Sequence, residues 1–156
     1  MVRKQLLVLI AVISLFVTAS CASNPPKQAA ILGEGALTAV RDLTKAYEKR
    51  DIEAFMDRIA SAYPDRDKFR GSVEKTFAVY QTIQFTVQDT RMLVMVQYQG
   101  NVKTVFTWSA EWQTSGGKIL KDGGRVTVVH DPSTYKVLAV EGKNPYVPTE
   151  SAMPVK

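Results

Sequence analysis

Apolar positions follow three rhythms in succession along the 156 residues. The first is a nearly unbroken run, residues 6–17, interrupted only by Ser14 and flanked by Arg3 and Lys4 before it and small residues after it. The second has a helical period. Ala36, Leu37, Val40, Leu43 and Tyr47 recur three or four residues apart, with Arg41, Asp42, Lys45 and Glu48 on the other side, which predicts a helix from about Ala29. Asp51 is placed to cap a second helix, because Ile52, Phe55, Met56 and Ile59 restart the period directly after it. Tyr63-Pro64-Asp65 ends that helix, and a third from about Arg66 carries Phe69, Val73, Phe77 and Tyr80 on one face.

At Thr82 the period falls to two, the mark of a half-buried strand: Ile83, Phe85 and Val87 alternate with Gln84, Thr86 and Gln88. No Gly, Pro or Asn interrupts the run before Gly100, so residues 82–99 read as one long bent strand. Gly100-Asn101 supplies a two-residue turn of type II′, and residues 102–114 return antiparallel. On the returning strand Phe106, Trp108, Ala110 and Trp112 share one face. Ser115-Gly116-Gly117 and Asp122-Gly123-Gly124 bracket a loop or hairpin extension, and residues 125–130 and 135–141 pair around Asp131-Pro132-Ser133-Thr134. Residues 143–156, with Pro145, Pro148 and Pro154, read as an exposed tail. The sum is an α+β domain: three N-terminal helices packed on a curved antiparallel β-meander.

The opening run changes the picture of where the protein works. A positive start, a twelve-residue apolar stretch and small residues make an export signal, too short to span a bilayer core that needs about 20 apolar residues. Val17-Thr18-Ala19-Ser20-Cys21 resembles a bacterial lipobox, with Thr18 where Leu is usual. The resemblance implies cleavage between Ser20 and Cys21 and diacylglyceryl transfer (palmitate among the acyl chains) to the Cys21 thiol. Cys21 is the chain's single cysteine, so it has no disulfide partner within the chain. Acyl chains would hold the protein on a membrane at about 0.8 kcal/mol per buried methylene. Ala22 after the cysteine is similar to lipoproteins destined for the outer membrane, facing the periplasm. Residues 1–20 are then the signal peptide, 21–29 the lipidated cysteine and tether, 30–142 the domain and 143–156 the tail.

Composition excludes more than it selects. Losing residues 1–20 removes Arg3 and Lys4 and no acid, leaving a net charge of +3 from the chain's +5. The basic residues are scattered, without the interleaved aromatics of a nucleic-acid surface. One histidine and no clustered ligand spacing give no metal centre. Gly116-Gly117-Lys118 lacks the strand-loop-helix setting of a phosphate cradle, so no cofactor is expected.

The element order, with Ala46-Tyr47-Glu48-Lys49-Arg50-Asp51-Ile52-Glu53-Ala54-Phe55, a short third helix, a long bent strand and Phe106-Thr107-Trp108-Ser109-Ala110-Glu111-Trp112, resembles the NTF2-like (SnoaL-type, cystatin-like) domains over residues 30–142. The resemblance implies a cone whose sheet and helices can enclose a pocket, and its enzymes usually hold an Asp/His or Asp/Tyr pair there. If residue 99 pairs with 102, Asp89 falls opposite Trp112 and His130 lies level with Trp108 one strand over, about 16 Å away and too far for a dyad. His130 then reads as a strand-end residue beside a turn. With strict alternation, Asp89 and Arg91 join Phe106, Trp108 and Trp112 on one wall as ligand-pocket candidates, with no catalytic residue assigned. A β-bulge at residues 89–91, or a self-satisfied Asp89/Arg91 pair, is the structural alternative.

These readings lead to a non-catalytic, membrane-anchored binding domain for a small apolar ligand or a protein partner. Two alternatives stay open. One is a small isomerase or hydrolase using Asp89 as acid or base. The other is an assembly module dimerising through an outer sheet face that bears Val94, Val96 and Val105.

Overall fold

The computed structural model describes residues 27–87, 93–96 and 100–148. Ser20, Cys21, Asp89, Arg91 and the tail from residue 149 lie outside the described residues. Residues Ile31–Lys156 form one compact unit. The elements are α1 (Lys27–Glu48), α2 (Ile52–Asp57), α3 (Arg66–Val79), β1 (Tyr80–Val87), β2 (Leu93–Val96), β3 (Val102–Thr114), β4 (Ile119–His130) and β5 (Val137–Gly142). The α+β plan of three helices followed by an antiparallel sheet is therefore observed.

Helical periodicity located the three helices, although Ile59 and Tyr80, read as helical, lie past the end of α2 and at the start of β1. Ala36, Val40, Leu43 and Tyr47 on α1 are each exposed by 1% or less. Asp51 caps α2, its carboxylate accepting from Ala54 N–H at 3.0 Å. Between them the chain reverses at Arg50, a non-glycine residue at φ 57°. Arg50 N–H donates to Tyr47 O and Asp51 N–H to Ala46 O, both at 3.0 Å, the paired closure of a Schellman-type helix end. The Arg50 guanidinium offsets that backbone cost by donating to Phe77 O (2.6 Å) and Gln81 O (3.3 Å), which ties the end of α1 to the end of α3.

In the sheet β3 is central. β4 pairs along nearly its whole length on one edge, while β1 and β2 divide the other edge, and β5 lies beyond β4. A bridge from Ile59 to Val137 joins the segment after α2 to β5. The helices cover the face carrying the even-numbered residues of β3, where Phe106, Trp108, Ala110 and Trp112 are buried as the alternation predicts.

The long-strand reading and its register are corrected. β1 pairs Ile83 with Trp112 and Val87 with Trp108, whereas β2 pairs Leu93 with Val105 and Val96 with Val102. Between these two runs β3 has only Phe106 and Thr107, against residues 88–92 on the other side. The excess is odd, so alternation reverses: β1 pairs its odd positions with the buried even positions of β3, and β2 pairs Val94 and Val96 with buried Thr104 and Val102. Trp112 thus lies opposite Ile83, not residue 89. The reversal also removes the basis for an outer face built from Val94, Val96 and Val105 together. The expected two-residue turn does not fit this register either, because Val96, not residue 99, pairs with Val102.

Two further readings meet the structure differently. Of the loop or hairpin extension expected up to Gly124 the structure forms the hairpin extension, with Asp122-Gly123-Gly124 inside β4, which pairs back on β3 from Ile119. Gly123 is required there by proximity, since a Cβ would stand 2.9 Å from the Trp108 carbonyl oxygen. Residues 143–148 are not an exposed tail: Tyr146 is 0% exposed, Pro145 and Pro148 are buried, and Val147 packs on the core. Burial of one large aromatic outweighs the extended, proline-bracketed backbone that suggested a solvated segment.

Candidate functional site

The interior between the helices and the even face of β3 is an aromatic chamber that the chain fills itself. α1 supplies Tyr47, α2 Phe55, α3 Phe69 and Phe77, β1 Phe85, β3 Trp108 and Trp112, and the segment after β5 Tyr146. Phe85 stacks on Trp108 at 5.8 Å and 10°, and Trp108 meets Trp112 edge-on at 6.4 Å and 80°. The Tyr146 ring stacks on Phe85 (5.7 Å, 14°) and meets Tyr47 (5.2 Å, 72°) and Phe55 (5.1 Å, 68°) edge-on.

A short hydrogen-bond relay runs through this chamber. Trp112 Nε1–H donates to Tyr47 Oη at 2.9 Å, and Tyr47 Oη–H donates to the Tyr146 carbonyl at 3.0 Å. Burial pushes the Tyr47 hydroxyl far above the ordinary tyrosine range, against the lowering effect of the Trp112 bond, and burial raises Tyr146 likewise. Both phenols are therefore neutral across the physiological range. Tyr80 Oη and Trp108 Nε1 are among the polar atoms buried without a partner, and the hydroxyls of Thr44 and Tyr146 face each other. Trp108 Nε1 lies 3.7 Å from where a Gly124 side chain would begin, under the stem of Lys143.

Of the pocket candidates, Phe106, Trp108 and Trp112 share the chamber wall, and Asp89 and Arg91 fall outside the described residues. Tyr47, Phe55, Phe85 and Tyr146 were missed as chamber residues. Their apolar periodicity identified the first three as core, but only the isolated aromatic of Asn144-Pro145-Tyr146-Val147-Pro148 could have signalled the fourth.

His130 is not level with Trp108. It pairs with Val102, whereas Trp108 pairs with Gly124, and it ends β4 beside the Asp131 turn as expected. Its ring is 0% exposed, Nδ1 lies 3.1 Å from the Tyr135 carbonyl, and Nε2 has no partner. Because a carbonyl only accepts, Nδ1 carries the proton of the neutral ring. Burial lowers the imidazole pKa below its ordinary 6.5, partly opposed by that carbonyl. The unfolded chain takes up a proton as pH falls through 6.5 while the folded chain excludes it, so stability is full above 6.5 and declines on acidification toward the lowered folded value. His130 is the chain's single histidine, so urea midpoints measured from pH 7.5 to 5.5 should fall in the wild type and stay nearly level in His130→Gln. A flat wild-type profile would mean that the ring reaches solvent.

Among the described residues no group of three or more His, Cys, Asp or Glu is placed to hold a metal ion. No described helix is long and apolar enough to cross a membrane.

No known family profile matches the chain, and no curated protein matches it by sequence. Solved structures do match its fold. An NTF2-like superfamily protein from Salmonella enterica serovar Typhimurium has a TM-score of 0.59 at 12% identity, covering 74% of this chain and 92% of that one. The Δ5-3-ketosteroid isomerase of a Mycobacterium species has a TM-score of 0.54 at 11% identity, covering 77% and 97%. A Mycobacterium tuberculosis protein solved in complex with estradiol-17β-hemisuccinate has a TM-score of 0.54 at 12% identity, covering 78% and 98%. The fold is thus NTF2-like, and identities this low carry the fold alone.

Proposed function

We infer that the chain is a lipid-anchored protein of the cell envelope, held at the outer membrane through Cys21, whose NTF2-like domain binds a small apolar ligand without transforming it. The observation that carries the binding reading is the character of the chamber, a set of packed and stacked aromatic rings, in a domain whose buried polar residues, among those described, are Thr44, Thr76, Thr104 and His130. All are neutral, and no carboxylate is among them. Such a lining suits apolar recognition with a few hydrogen bonds. Support of a weaker kind comes from the estradiol-derivative complex of a protein with the same fold.

The anchoring part rests on the lipobox-like Ser20-Cys21 junction and the absence of any other cysteine. Cys21→Ser is expected to move the protein from the membrane fraction to the soluble fraction, or to leave it unprocessed, because no thioether can form. Mass spectrometry of the wild-type N-terminal peptide should show Cys21 with a lipid-sized mass excess. A bare Cys21, or a mature chain that starts after it, would refute anchoring.

Native mass spectrometry of the protein from its own host tests the binding part. A bound small molecule is the expected result, and a stoichiometric protein partner or a dimer in its place would favour assembly. Turnover of a substrate that vanishes in Asp89→Ala would replace binding by catalysis.

A further inference from the structure

We propose that an open groove on the outer side of Phe69 is a saccharide site, taking one neutral pyranose ring of an oligosaccharide that stacks on Tyr63 and is hydrogen-bonded by Asp65 and Asn144. The groove, about 480 Å³, runs between the α2–α3 connection, the first turns of α3 and residues 143–148. It is separate from the aromatic chamber, so the proposal does not depend on what the chamber holds. Phe69 is the partition: it meets Phe55 of the chamber at 5.9 Å and 46°, and Tyr63 on its groove side at 4.9 Å and 28°.

Tyr63 supplies a platform. Its ring is stacked on Phe69, which fixes its tilt, and it stays partly exposed where it lines the groove. Burial raises its phenol above the ordinary tyrosine range, so the hydroxyl is neutral. The electron-rich face of a fixed aromatic ring attracts the weakly positive C–H groups along one side of a pyranose, and apolar area on both leaves water.

Asp65 and Asn144 supply an acceptor and a donor. Asp65 holds the N-cap position of α3, yet its backbone is left-handed (φ 49°, ψ 41°) and its carboxylate makes no capping bond. Among the described residues that carboxylate has no hydrogen bond and no ion pair. A residue placed only to start the helix would spend its side chain on a first-turn amide, as Asp51 does on Ala54 N–H. Asn144 is oriented by its neighbour: Oδ1 accepts from Tyr146 N–H at 3.0 Å, which leaves both Nδ2 hydrogens for another acceptor. An amide donor and a carboxylate acceptor on one groove complement vicinal sugar hydroxyls, each of which both donates and accepts. Charge favours a neutral ring. Lys68, three residues after Asp65, lines the groove and is likewise unpaired among the described residues, so the two charges offset each other. Lys143 is already engaged by the Asp122 carboxylate and by Gly123 O.

The test titrates the full chain by calorimetry with chitotetraose and, separately, with cellotetraose, which share a β-1,4-linked pyranose chain and differ at the second carbon. Saturable binding of at least one is expected, with a Kd in the millimolar range or below. Tyr63→Ala should weaken it by at least about tenfold, whereas Tyr63→Phe, which keeps the ring and drops the hydroxyl, should leave it within about twofold. Asp65→Gly separates recognition from folding. Glycine suits the left-handed backbone, so the melting midpoint should hold or rise while affinity falls by at least about tenfold, a split that a purely structural Asp65 does not give. It also serves if Tyr63→Ala does not fold. No saturable binding of either tetrasaccharide to the wild type overturns the site. Binding that is unchanged in Tyr63→Ala or in Asp65→Gly overturns it as well, and so does an equal loss in Tyr63→Phe and Tyr63→Ala. None of these results bears on the apolar ligand of the chamber, whose rings the variants leave in place.

Discussion

Trp112→Ala is expected to lower the unfolding free energy by about 3–5 kcal/mol, the range for truncating a large aromatic in a packed core. Trp112 is 0% exposed, meets Tyr80 and Trp108 each at 6.4 Å, and donates to Tyr47 Oη. Truncation leaves a void among rings that cannot collapse and strips a buried hydroxyl of its donor. Trp108 provides the contrast, with the same side chain, 1% exposure and two positions earlier on the same face of β3, but an indole N–H without an acceptor. Replacing each by Phe removes similar volume at both sites and a made hydrogen bond at only one. Trp112→Phe should therefore cost about 1 kcal/mol more than Trp108→Phe. Urea titrations of the three variants decide it, and equal losses in the two Phe variants would mean that the Trp112–Tyr47 bond contributes nothing net.

The two tryptophans were legible in the sequence because β3 is a long central strand with strict alternation, and a two-sided pattern over residues 106–112 leaves no freedom about which face is buried. The helices were legible for the analogous reason. Asp51 could be read as a cap because the apolar period restarts directly after it. The edge of β3 was another matter. Its partner strand changes register between Val87 and Leu93, and a run with no glycine or proline gives no local sign of an odd insertion. Placing the turn at Gly100-Asn101 then carried a wrong register six residues along, setting residue 89 where Ile83 belongs.

Glycine is an ambiguous sign at Gly123-Gly124. Paired glycines signal a turn when chain reversal needs them, but at Gly123 the demand is steric, the Trp108 carbonyl approaching from the neighbouring strand. Sequence carries the residue and not the reason. Tyr146 was illegible for a related cause: its burial depends on a chamber assembled from three helices and two strands, and no periodicity in a six-residue segment reports a tertiary vacancy.

The same distinction between a residue and its reason gives the second large effect. Gly35 lies inside α1, where glycine costs about 1 kcal/mol relative to alanine, so Gly35→Ala ought to stabilise an isolated helix. The Tyr135 ring lies across it: a Cβ at position 35 would come within 2.2 Å of Cζ, 2.5 Å of Cε1 and 2.6 Å of Cε2. That ring cannot retreat freely, because Tyr135 is fixed at φ 56° in a tight turn. Tyr135 N–H donates to Asp131 O and Asp131 N–H to Lys136 O, both at 2.9 Å. The Asp131 carboxylate, held at a pKa of about 2 by the Ser133 hydroxyl and the Thr134 amide and hydroxyl, closes the turn from inside. Gly35→Ala is therefore expected to destabilise the protein by about 1–3 kcal/mol, as overpacking does. In a Tyr135→Gly background, which removes the ring and suits the left-handed backbone, the same change should stabilise by about 1 kcal/mol. The sign reversal across this double-mutant cycle, read from melting midpoints and urea titrations, isolates the ring from every other effect of the substitution. Stabilisation by Gly35→Ala in the wild-type background would show that the Tyr135 ring does not rest on α1 at Gly35.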